Sequence, residues 1–520
     1  MTPSLYTPEE PISSIATALA PAALGIVRVS GKGCIELVSK VFSRPKALLE
    51  AKGNTLVYGW IVDKGRKDLP LVSRFSKENS VVSDSERTAT SAGNSSSRTT
   101  PRNIPCNTPL DEVMLAVYRA PKSFTGEDMV EIFCHGGPAV VTAIQKLMLK
   151  NGFRQANRGE YTFRSYINGK TDLTKAEAVR EIIDSHTDIS RSHAAGRLAG
   201  NLFSEIDSIK KLIVDTLAAI EVEIEYPEDE ETIADSFDRK DIEEAIHRLQ
   251  ILNDSWRGEK LYQDGARVVL AGRTNAGKSS LFNAILKEER AIVSDIEGTT
   301  RDWLESWASI NGIPVRLFDT AGLRQTDDVI EAQGVEISKN LVQDADVVLY
   351  LVDGRTGMNA EDKAFIEKCR EPLIVVYTKS DLTKASSAFE HSPNPMFEPG
   401  EITKKAAIGQ ALRAVPICVS ISSKNGDGLV ELFSKVSDIL MTGLSTERQQ
   451  AGLGSARQKD AVSEALECVR HALVSADDNY TLDAVVQDLE DALDFLGEVT
   501  GDVTPDDVLG SIFANFCVGK

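Results

Sequence analysis

A run of eight residues, GRTNAGKS from Gly272 to Ser279, has residue types and spacing that suit phosphate binding. It fits the pattern G-x-x-x-x-G-K-[ST] and stands between an apolar run, ARVVLA, and a helical one, SLFNAILKE. Glycines let backbone N–H groups close around phosphates, and a helix amino terminus adds partial positive charge. We expect Lys278 to reach the β- and γ-phosphates and the Ser279 hydroxyl to bind Mg²⁺. The alternative is a chance glycine-rich turn, and the strand–loop–helix context argues against it.

The segment TKSD, Thr378 to Asp381, predicts recognition of guanine. The Asp381 carboxylate can accept two N–H bonds from the guanine edge, whereas adenine would leave that carboxylate unpaired. Asn is the usual first residue of this motif, so Thr378 predicts weaker loop packing or affinity. The segment SSK, Ser422 to Lys424, resembles the loop that covers the base. TKSD alone could equally be a surface loop, but the motifs in this order predict a GTPase.

Two segments between these motifs predict the loops that sense the γ-phosphate. SDIEGTTRD begins at Ser294, where a first switch belongs, and its Thr300 is the expected second hydroxyl ligand of Mg²⁺. DTAG begins at Asp319, and the residue that follows it, Leu323, cannot orient the attacking water as the glutamine of Ras-like proteins does. The predicted GTP-binding residues are Asn275, Ala276, Gly277, Lys278, Ser279, Ser280, Ser294, Asp295, Ile296, Glu297, Gly298, Thr299, Thr300, Asp319, Thr320, Ala321, Gly322, Thr378, Lys379, Ser380, Asp381, Ser422, Ser423 and Lys424.

The elements that position these loops alternate between strand and helix from Gly265 onward. Five apolar runs each end in a polar loop, which predicts a Ras-like, doubly wound parallel sheet with functional loops at the strand ends. Helical patterns flank this segment, with an apolar stripe from Leu202 to Ile224 before it and helix again after Gly443. Each flanking segment has an apolar stripe that must be buried against another element, so we expect the two segments to form one discontinuous helical domain.

The N-terminal part mixes strands and helices, as in an α+β domain. LGIVRVSG, TLVYGWIVD and EVMLAVYRA predict strands, whereas 73–108 is rich in Ser, Thr, Asn, Arg and Pro and predicts a disordered insertion. The predicted organisation is an N-terminal domain (1–166), a helical domain in two parts (167–262 and 444–520) and an inserted GTPase domain (263–443).

Composition narrows the class of protein. The chain has 520 residues, of which 42% are hydrophobic and 26% charged, and it has no apolar run that could span a bilayer or act as a secretory signal. A formal charge of −20 repels phosphate backbones, so a nucleic-acid substrate would need a local basic patch or a basic partner. Seven scattered cysteines without a CxxC pair indicate neither zinc nor disulfides. We expect a cytoplasmic location, with the mitochondrial matrix as the alternative.

Segments outside the GTPase motifs resemble one family, the tRNA modification GTPases called MnmE or TrmE. SFTGEDMVEIFCHGG, GEYTFRSYINGKTDLTKAEAV and the tail FCVGK are similar to that family's N-terminal, first helical and C-terminal segments. The motifs NAGKSSL, GTTRD and DTAGLR are shared with several ribosome-assembly GTPases. The resemblance covers nearly the whole chain, except 73–108 and the stretch between Asp381 and Val415.

The resemblance implies that a glutamate and a bound K⁺ replace the missing glutamine. Glu331 matches the family's glutamate, which holds the attacking water; it could otherwise be an ordinary first-turn helix residue. K⁺ would act as an arginine finger does, and hydrolysis would be switched on when two G domains meet. The implied K⁺ ligands are Asn275, Ser294, Ile296 and Thr299. Of these, Asn275 could instead cap the turn of the phosphate loop.

The resemblance also implies a folate-binding N-terminal domain that forms a homodimer. A carboxylate suits the ring N–H groups of a pterin, and cations suit its glutamyl tail. Each of these residues could instead be a surface charge or an ion pair. The sequence departs from the family at LAPAALG, which stands where the family often has Gly-Arg-Gly. Cys517 is implied in tRNA modification with its role open, or is a small hydrophobe. The implied contacts of 5-formyl-tetrahydrofolate are Arg28, Glu131, Lys170 and Lys520.

The expected function follows from the family. With a FAD-dependent partner of the MnmG type, in a heterotetramer, the enzyme would add a carboxymethylaminomethyl-type group to C5 of the wobble uridine of certain tRNAs. The one-carbon unit would come from 5-formyl- or methylene-tetrahydrofolate. The alternative is a ribosome-assembly GTPase acting as a binding switch, against which the N-terminal segments and the CVGK tail argue. A folate-binding protein with a vestigial GTPase is a second alternative, against which intact Lys278, Ser279 and Thr300 argue.

Overall fold

The structure is a computed structural model that describes residues 10–63, 108–225, 239–288, 305–319, 341–382, 416–442, 451–477 and 482–519. It divides into two compact units. The first joins Met1–Asp172 to Thr504–Lys520, and the second is Leu173–Val503. The four domain boundaries expected from the sequence stay predictions. No described helix combines the length and the apolar character that crossing a membrane requires.

The first unit is a six-stranded sheet with helices. Its strands are β1 (Ile12–Ile15), β2 (Ala22–Ser30), β3 (Thr55–Asp63), β4 (Thr108–Tyr118), β5 (Met129–Gly136) and β6 (Arg154–Gln155). Their order is β3-β4-β5-β2-β1-β6, and the neighbours are antiparallel except for β1 and β6. The helices are α1 (Cys34–Ser39), α2 (Pro45–Leu49), α3 (Pro138–Lys150), α4 (Glu160–Ile167) and, near the end of the chain, α14 (Asp506–Ala514).

Alternation along these strands gives the sheet one buried and one open face. Leu115 and Ile132 lie in a core that includes α1 and α3 residues, such as Val38 and Ile144. The opposite face carries large apolar side chains that are about half exposed. Tyr58 pairs with Met114 on this face, which also holds Arg28 and Glu131 as a cross-strand pair. The open-face residues are Leu24, Leu56, Tyr58 and Met114, with exposures of 61, 62, 54 and 46%.

The second unit contains a layer of helices drawn from two distant parts of the chain. They are α5 (Leu173–Asp184), α6 (Asp188–Ala199), α7 (Asn201–Glu225), α8 (Arg239–Asp264), α12 (Ala456–Asp477) and α13 (Leu482–Thr500). The predicted stripe of α7 is buried from Leu202 to Ile220 and shares one core with Val462 and Leu489. The expected discontinuous helical domain is therefore confirmed.

The same unit contains a second six-stranded sheet. Its strands are β7 (Ala266–Gly272), β8 (Glu305–Ile310), β9 (Ile313–Asp319), β10 (Val347–Asp353), β11 (Leu373–Thr378) and β12 (Ile417–Ser420). The order is β12-β11-β10-β7-β9-β8, parallel except for the antiparallel edge strand β8. Apolar clusters cover both faces, one with α9 (Lys278–Glu288) and α11 (Leu429–Leu440), the other with residues of α10 (Ala360–Lys368). This confirms the doubly wound prediction.

Two sequence expectations need comment. The predicted disordered insertion, 73–108, lies outside the described residues except for Thr108. That residue begins β4, four positions before the predicted start of the strand, so the insertion was drawn one residue too long. Strands β1, β5, β6 and β8 were not predicted. In β8, whose sequence is ESWASI, two polar residues precede two apolar ones, so it lacks the strict alternation that indicates a strand with one face buried.

Candidate functional site

The phosphate loop lies between β7 and α9 in a conformation that depends on glycine. Gly272 has φ 135°, and a Cβ there would lie 2.4 Å from the carbonyl oxygen of Leu351. Asn275, at φ 62°, is one of the few non-glycine residue types that tolerate left-handed backbone. The Lys278 Nζ donates to the carbonyl oxygens of Gly272 and Arg273, at 2.8 Å each. The ammonium thus sits over the loop at the amino end of α9, where it can meet an anion.

The predicted Mg²⁺ ligand Ser279 meets the end of a neighbouring strand. Its Oγ donates to Asp319 Oδ2 at 3.0 Å, because β7 and β9 are parallel neighbours whose carboxyl ends share one sheet edge. A hydroxyl and a carboxylate are hard oxygen donors of the kind that Mg²⁺ prefers. The two residues therefore fit the ion that the sequence predicts, which would neutralise phosphate charge when bound.

The base-recognition residue Asp381 is held by the second predicted guanine loop. The Ser422 Oγ, fully buried, donates to Asp381 Oδ1 at 2.9 Å. The backbone N–H of Ser380 donates to the Ile421 carbonyl at 3.1 Å. The structure thus brings together two motifs that lie about 40 residues apart and fixes the carboxylate that would select guanine.

Thr378, the departure from the usual Asn, is buried and makes the loop contact that the departure put in doubt. Its Oγ1 donates to the Ala276 carbonyl at 2.7 Å, which ties the guanine loop to the phosphate loop. The next residue, Lys379, donates to the Asn275 carbonyl at 2.8 Å and to Asp353 Oδ2 at 2.7 Å. Hydrogen bonds therefore join the phosphate loop, the end of β10 and the TKSD segment at one edge of the sheet.

Asp353 and Arg273 belong to this network and were not predicted. Arg273 donates to the Gly357 carbonyl at 3.1 Å and pairs with Asp362 at 3.2 Å. Asp353 could have been predicted from the sequence, because it is a polar residue at the carboxyl end of a buried parallel strand. Such sheets bind ligands at that end of their strands.

Most of the other predicted residues lie outside the described part of the chain, and the roles of all of them stay predictions. Of the implied K⁺ ligands, Asn275 alone is described. Ala276 and Gly277 lie in the phosphate loop, Ser280 lies in the first turn of α9, and Ser423 and Lys424 lie in the guanine loop. The residues outside the description are Ser294, Asp295, Ile296, Glu297, Gly298, Thr299, Thr300, Thr320, Ala321, Gly322, Glu331 and Lys520.

A second candidate site lies on the open face of the first sheet. Arg28 on β2 and Glu131 on β5 form an ion pair at 2.7 Å, with side chains only 17 and 13% exposed. The Arg28 guanidinium also lies 5.6 and 5.9 Å from the ring centres of Tyr161 and Phe124. Its NH1 donates to the Gly519 carbonyl at 2.9 Å. Charge, aromatic rings and the tail segment therefore converge at one point.

Lys170 and the tail cysteine lie elsewhere in the first unit. The Lys170 Nζ donates to the Pro121 carbonyl at 3.1 Å, on the loop that carries Phe124, and within the described chain it does not contact the Arg28–Glu131 pair. Cys517 is exposed, so its interpretation as a buried small hydrophobe is wrong. Its carbonyl accepts a hydrogen bond from the Gly159 N–H at 3.4 Å, which aligns the tail with the start of α4.

Comparisons with known proteins identify the family of the chain. A family model described as the MnmE helical domain matches 173–517, and one described as the GTP-binding protein TrmE N-terminus matches 11–86 and 80–170. The tRNA modification GTPase MnmE of Treponema denticola is 48% identical over 524 residues, covering 99% of both chains. That of Treponema pallidum (strain Nichols) is 40% identical over 533 residues, again covering 99% of both.

Among solved structures, a variant of Aquifex aeolicus Era bound to GDP.AlF4- is 27% identical, with a TM-score of 0.25 over 39% of this chain and 66% of that one. The family assignment comes from the full-length relatives and the two family models, which together span both units. The chain belongs to the MnmE family of tRNA modification GTPases, and it is a GTP hydrolase.

Proposed function

We propose that this enzyme hydrolyses GTP at the carboxyl edge of the second sheet, with Mg²⁺ and K⁺ as cofactors. The observation that carries the proposal is the link between the two loops. The Thr378 hydroxyl joins the guanine-selecting segment to Ala276, in the loop whose Lys278 is placed for phosphate. One nucleotide could therefore engage base and phosphate groups at the same time.

Each residue would have a separate role in the cleavage. Lys278 and the backbone N–H groups of its loop would stabilise charge on the β/γ-phosphate oxygens. Ser279 and Thr300 would hold Mg²⁺ through their hydroxyls. Glu331 would hold the attacking water, and K⁺ would supply fixed positive charge beside the phosphates. Asn275, Ser294, Ile296 and Thr299 would be the K⁺ ligands.

The role of Glu331 can be tested by substitution. We expect Glu331→Gln to lower kcat by about 100-fold, since positioned proton acceptors contribute on that scale, and we expect GTP turnover to be faster in K⁺ than in Na⁺ buffer. Glu361→Gln is the matched control, because Glu361 is an exposed first-turn glutamate of α10. If both variants keep full GTP turnover, Glu331 does not hold the attacking water and is an ordinary first-turn glutamate, like Glu361.

The proposed cellular role is modification of C5 of the wobble uridine in tRNA, in the cytoplasm, with a FAD-dependent MnmG-type partner. It is supported by the full-length similarity to proteins named tRNA modification GTPases. Mass spectrometry of tRNA nucleosides from cells lacking this chain should show loss of the carboxymethylaminomethyl-type group. Unchanged nucleosides together with defective ribosome profiles would favour the ribosome-assembly alternative.

The proposed one-carbon site is the Arg28–Glu131 pair, which would bind 5-formyl- or methylene-tetrahydrofolate, with Lys170 and Lys520 as further contacts. Its support is the placement of the pair beside Phe124, whose ring is 38% exposed and suits a flat heterocycle. Calorimetry with 5-formyl-tetrahydrofolate should show binding that Glu131→Gln weakens. Asp111→Asn is the control, because it removes a carboxylate paired with His135 at 2.8 Å in the same sheet. Equal affinities for both variants would reject the assignment.

A further inference from the structure

The inference concerns Asp353, the last residue of β10. Each oxygen of its carboxylate accepts two hydrogen bonds. Its Oδ1 accepts from the Arg355 backbone N–H at 3.0 Å and from Arg355 Nε at 3.1 Å. Its Oδ2 accepts from Arg355 NH2 at 2.8 Å and from Lys379 Nζ at 2.7 Å. The side chain is only 12% exposed. A carboxylate with four donors is a fixed point rather than a mobile surface charge.

Lys379 is the group that this fixed point holds. Its backbone is left-handed, at φ 61°, which is uncommon for a lysine. Its ammonium bridges two partners, Asp353 and the carbonyl oxygen of Asn275 in the phosphate loop. Thr378 and Asp381 lie on either side of it in the guanine-selecting segment, so the position of Lys379 sets the position of that segment.

We propose that Asp353 is a positioning residue for the nucleotide: by holding the Lys379 ammonium against Asn275, it fixes the guanine-selecting segment relative to the phosphate loop. The inference rests on the proposed GTP site and extends it, because Asp353 would touch neither the base nor the phosphates. It would act through Lys379, by ordering the segment before the nucleotide arrives.

The electrostatics support a permanent contact. Hydrogen bonds from Arg355, and after them those from Lys379, hold the pKa of Asp353 well below its usual range. The carboxylate is therefore ionised throughout the neutral range. Loss of its charge would leave the Lys379 ammonium with the Asn275 carbonyl as its one remaining partner among those described. The segment would then have more conformations to lose on binding, which lowers affinity.

The segment that carries Asp353 is itself anchored at its other end. Asp362 is fully buried and accepts from the Tyr350 hydroxyl and the Asn359 N–H, at 2.8 Å each. It also pairs with Arg273 of the phosphate loop at 3.2 Å. The connection from β10 to α10 therefore contacts the nucleotide site twice, once through Lys379 and once through Arg273. This double attachment explains why Asp353 can act as a fixed point.

The test compares nucleotide affinity with folding. Asp353→Asn keeps the shape of the side chain and removes its charge. We expect a fluorescent GDP analogue to bind about 10-fold more weakly, as for loss of a charge-assisted hydrogen bond, with most of the change in the dissociation rate. In turnover, the KM for GTP should rise by more than kcat falls. The unfolding temperature of the nucleotide-free enzyme should stay within about 2 °C of wild type.

Two control variants separate this role from a general effect of charge. Arg355→Ala removes the other side-chain partner of Asp353 but leaves the Lys379 contact and the backbone N–H donor, and should weaken GDP binding much less than Asp353→Asn does. Asp344→Asn removes a carboxylate paired with Arg267 at 3.6 Å, at the opposite edge of the sheet, and should bind as wild type does. If Arg355→Ala weakens binding as much as Asp353→Asn does, or if Asp353→Asn binds normally, the proposal is overturned.

A double substitution covers the case in which Asp353→Asn affects folding. On a Lys379→Met background, Asp353→Asn should cause no further loss of affinity, because the contact it removes is already gone. A further loss there would show that Asp353 acts independently of Lys379 and would overturn the proposal. Absence of GDP binding by the wild-type enzyme would instead reject the proposed GTP site, so the two failures are distinguishable.

Discussion

The hydroxyl of Thr378 carries one hydrogen and lies 2.7 Å from the Ala276 carbonyl oxygen and 3.3 Å from the Val352 carbonyl oxygen, so the shorter distance favours donation to Ala276. The side-chain amide of an asparagine would offer two donors and one acceptor at this position. Threonine keeps the link to the phosphate loop with the smaller group. At the residue scale, the Thr378 hydroxyl therefore replaces the side-chain amide of the usual Asn as the donor to the phosphate loop.

This exchange leads to a prediction for position 378. Thr378→Val keeps the branched shape but leaves the buried Ala276 carbonyl without its donor, so we expect nucleotide affinity to fall by about 5- to 10-fold. Thr378→Asn is the control and should bind at least as well as wild type. Titration with a fluorescent GDP analogue measures both. Full affinity in the valine variant would mean that the hydroxyl does not couple the loops.

Two glycines of the helical layer give opposite expectations. A Cβ on Gly454 would lie 2.1 Å from Glu181 Oε1, a carboxylate pinned by Arg197. We expect Gly454→Ala to destabilise the protein by about 1–3 kcal/mol through overpacking. Gly258 lies inside α8 with open space around it, so Gly258→Ala should stabilise by about 0.5–1 kcal/mol. Chemical denaturation followed by circular dichroism measures both, and equal signs would contradict the packing described.

At the element scale, α5, α6 and α8 meet at a buried ionic cluster. The Arg197 guanidinium donates to Glu181 Oε2 at 2.7 Å and to Glu259 Oε2 at 2.8 Å, and His193 pairs with Glu259 at 3.0 Å. Two carboxylates thus share one guanidinium. Burial raises the pKa of Glu181 to about 7, in spite of the opposing charge of Arg197. Burial acts in the same direction at Glu259, but the neighbouring His193 and Arg197 together outweigh it and lower the pKa of that carboxyl.

This cluster predicts a dependence of stability on pH. A carboxyl whose pKa is higher in the folded state stabilises fully below its unfolded pKa of about 4.5, and that contribution is lost as pH rises through about 7. Glu181→Gln is neutral throughout, so its unfolding temperature should gain on wild type between pH 5 and pH 8. Glu205→Gln, which breaks a more exposed pair with Arg248, is the control. A constant difference across this range for Glu181→Gln would contradict the prediction.

At the scale of the whole molecule, the open face of the first sheet is a candidate surface for the homodimer that the family resemblance implies. Leu24, Leu56, Tyr58 and Met114 present an apolar surface of a kind that monomeric proteins rarely leave uncovered. We expect sedimentation velocity to show a dimer for wild type and a monomer for Met114→Lys. Val430→Lys, at an isolated residue of α11 with 79% exposure, should remain dimeric. A dimeric Met114→Lys variant would place the interface elsewhere.

Periodicity, together with the glycine and polar residues that flank apolar runs, predicted most of the described strands, whereas contacts across the fold could not be predicted. β3 and β7 begin and end where expected because polar or glycine residues flank runs that are mainly apolar. The Arg28–Glu131 pair depends on a register between strands about 100 residues apart and was not predicted; the family resemblance implied the two residues only as folate contacts. Asp353 was missed because its partner Lys379 is 26 residues away, and only the neighbouring positions of β10 and β11 bring them together.

The shared core of the helical layer has a consequence for how the protein is made. Leu252 and Leu453 belong to that core but are separated by about 200 residues that include the second sheet. At about 5–20 residues per second, a ribosome needs roughly 10–40 s to synthesise this stretch. During that interval the stripe of α7 is without its later partners. Nascent chains halted in the sheet should therefore bind chaperones through α7, and release should coincide with the emergence of α12 and α13.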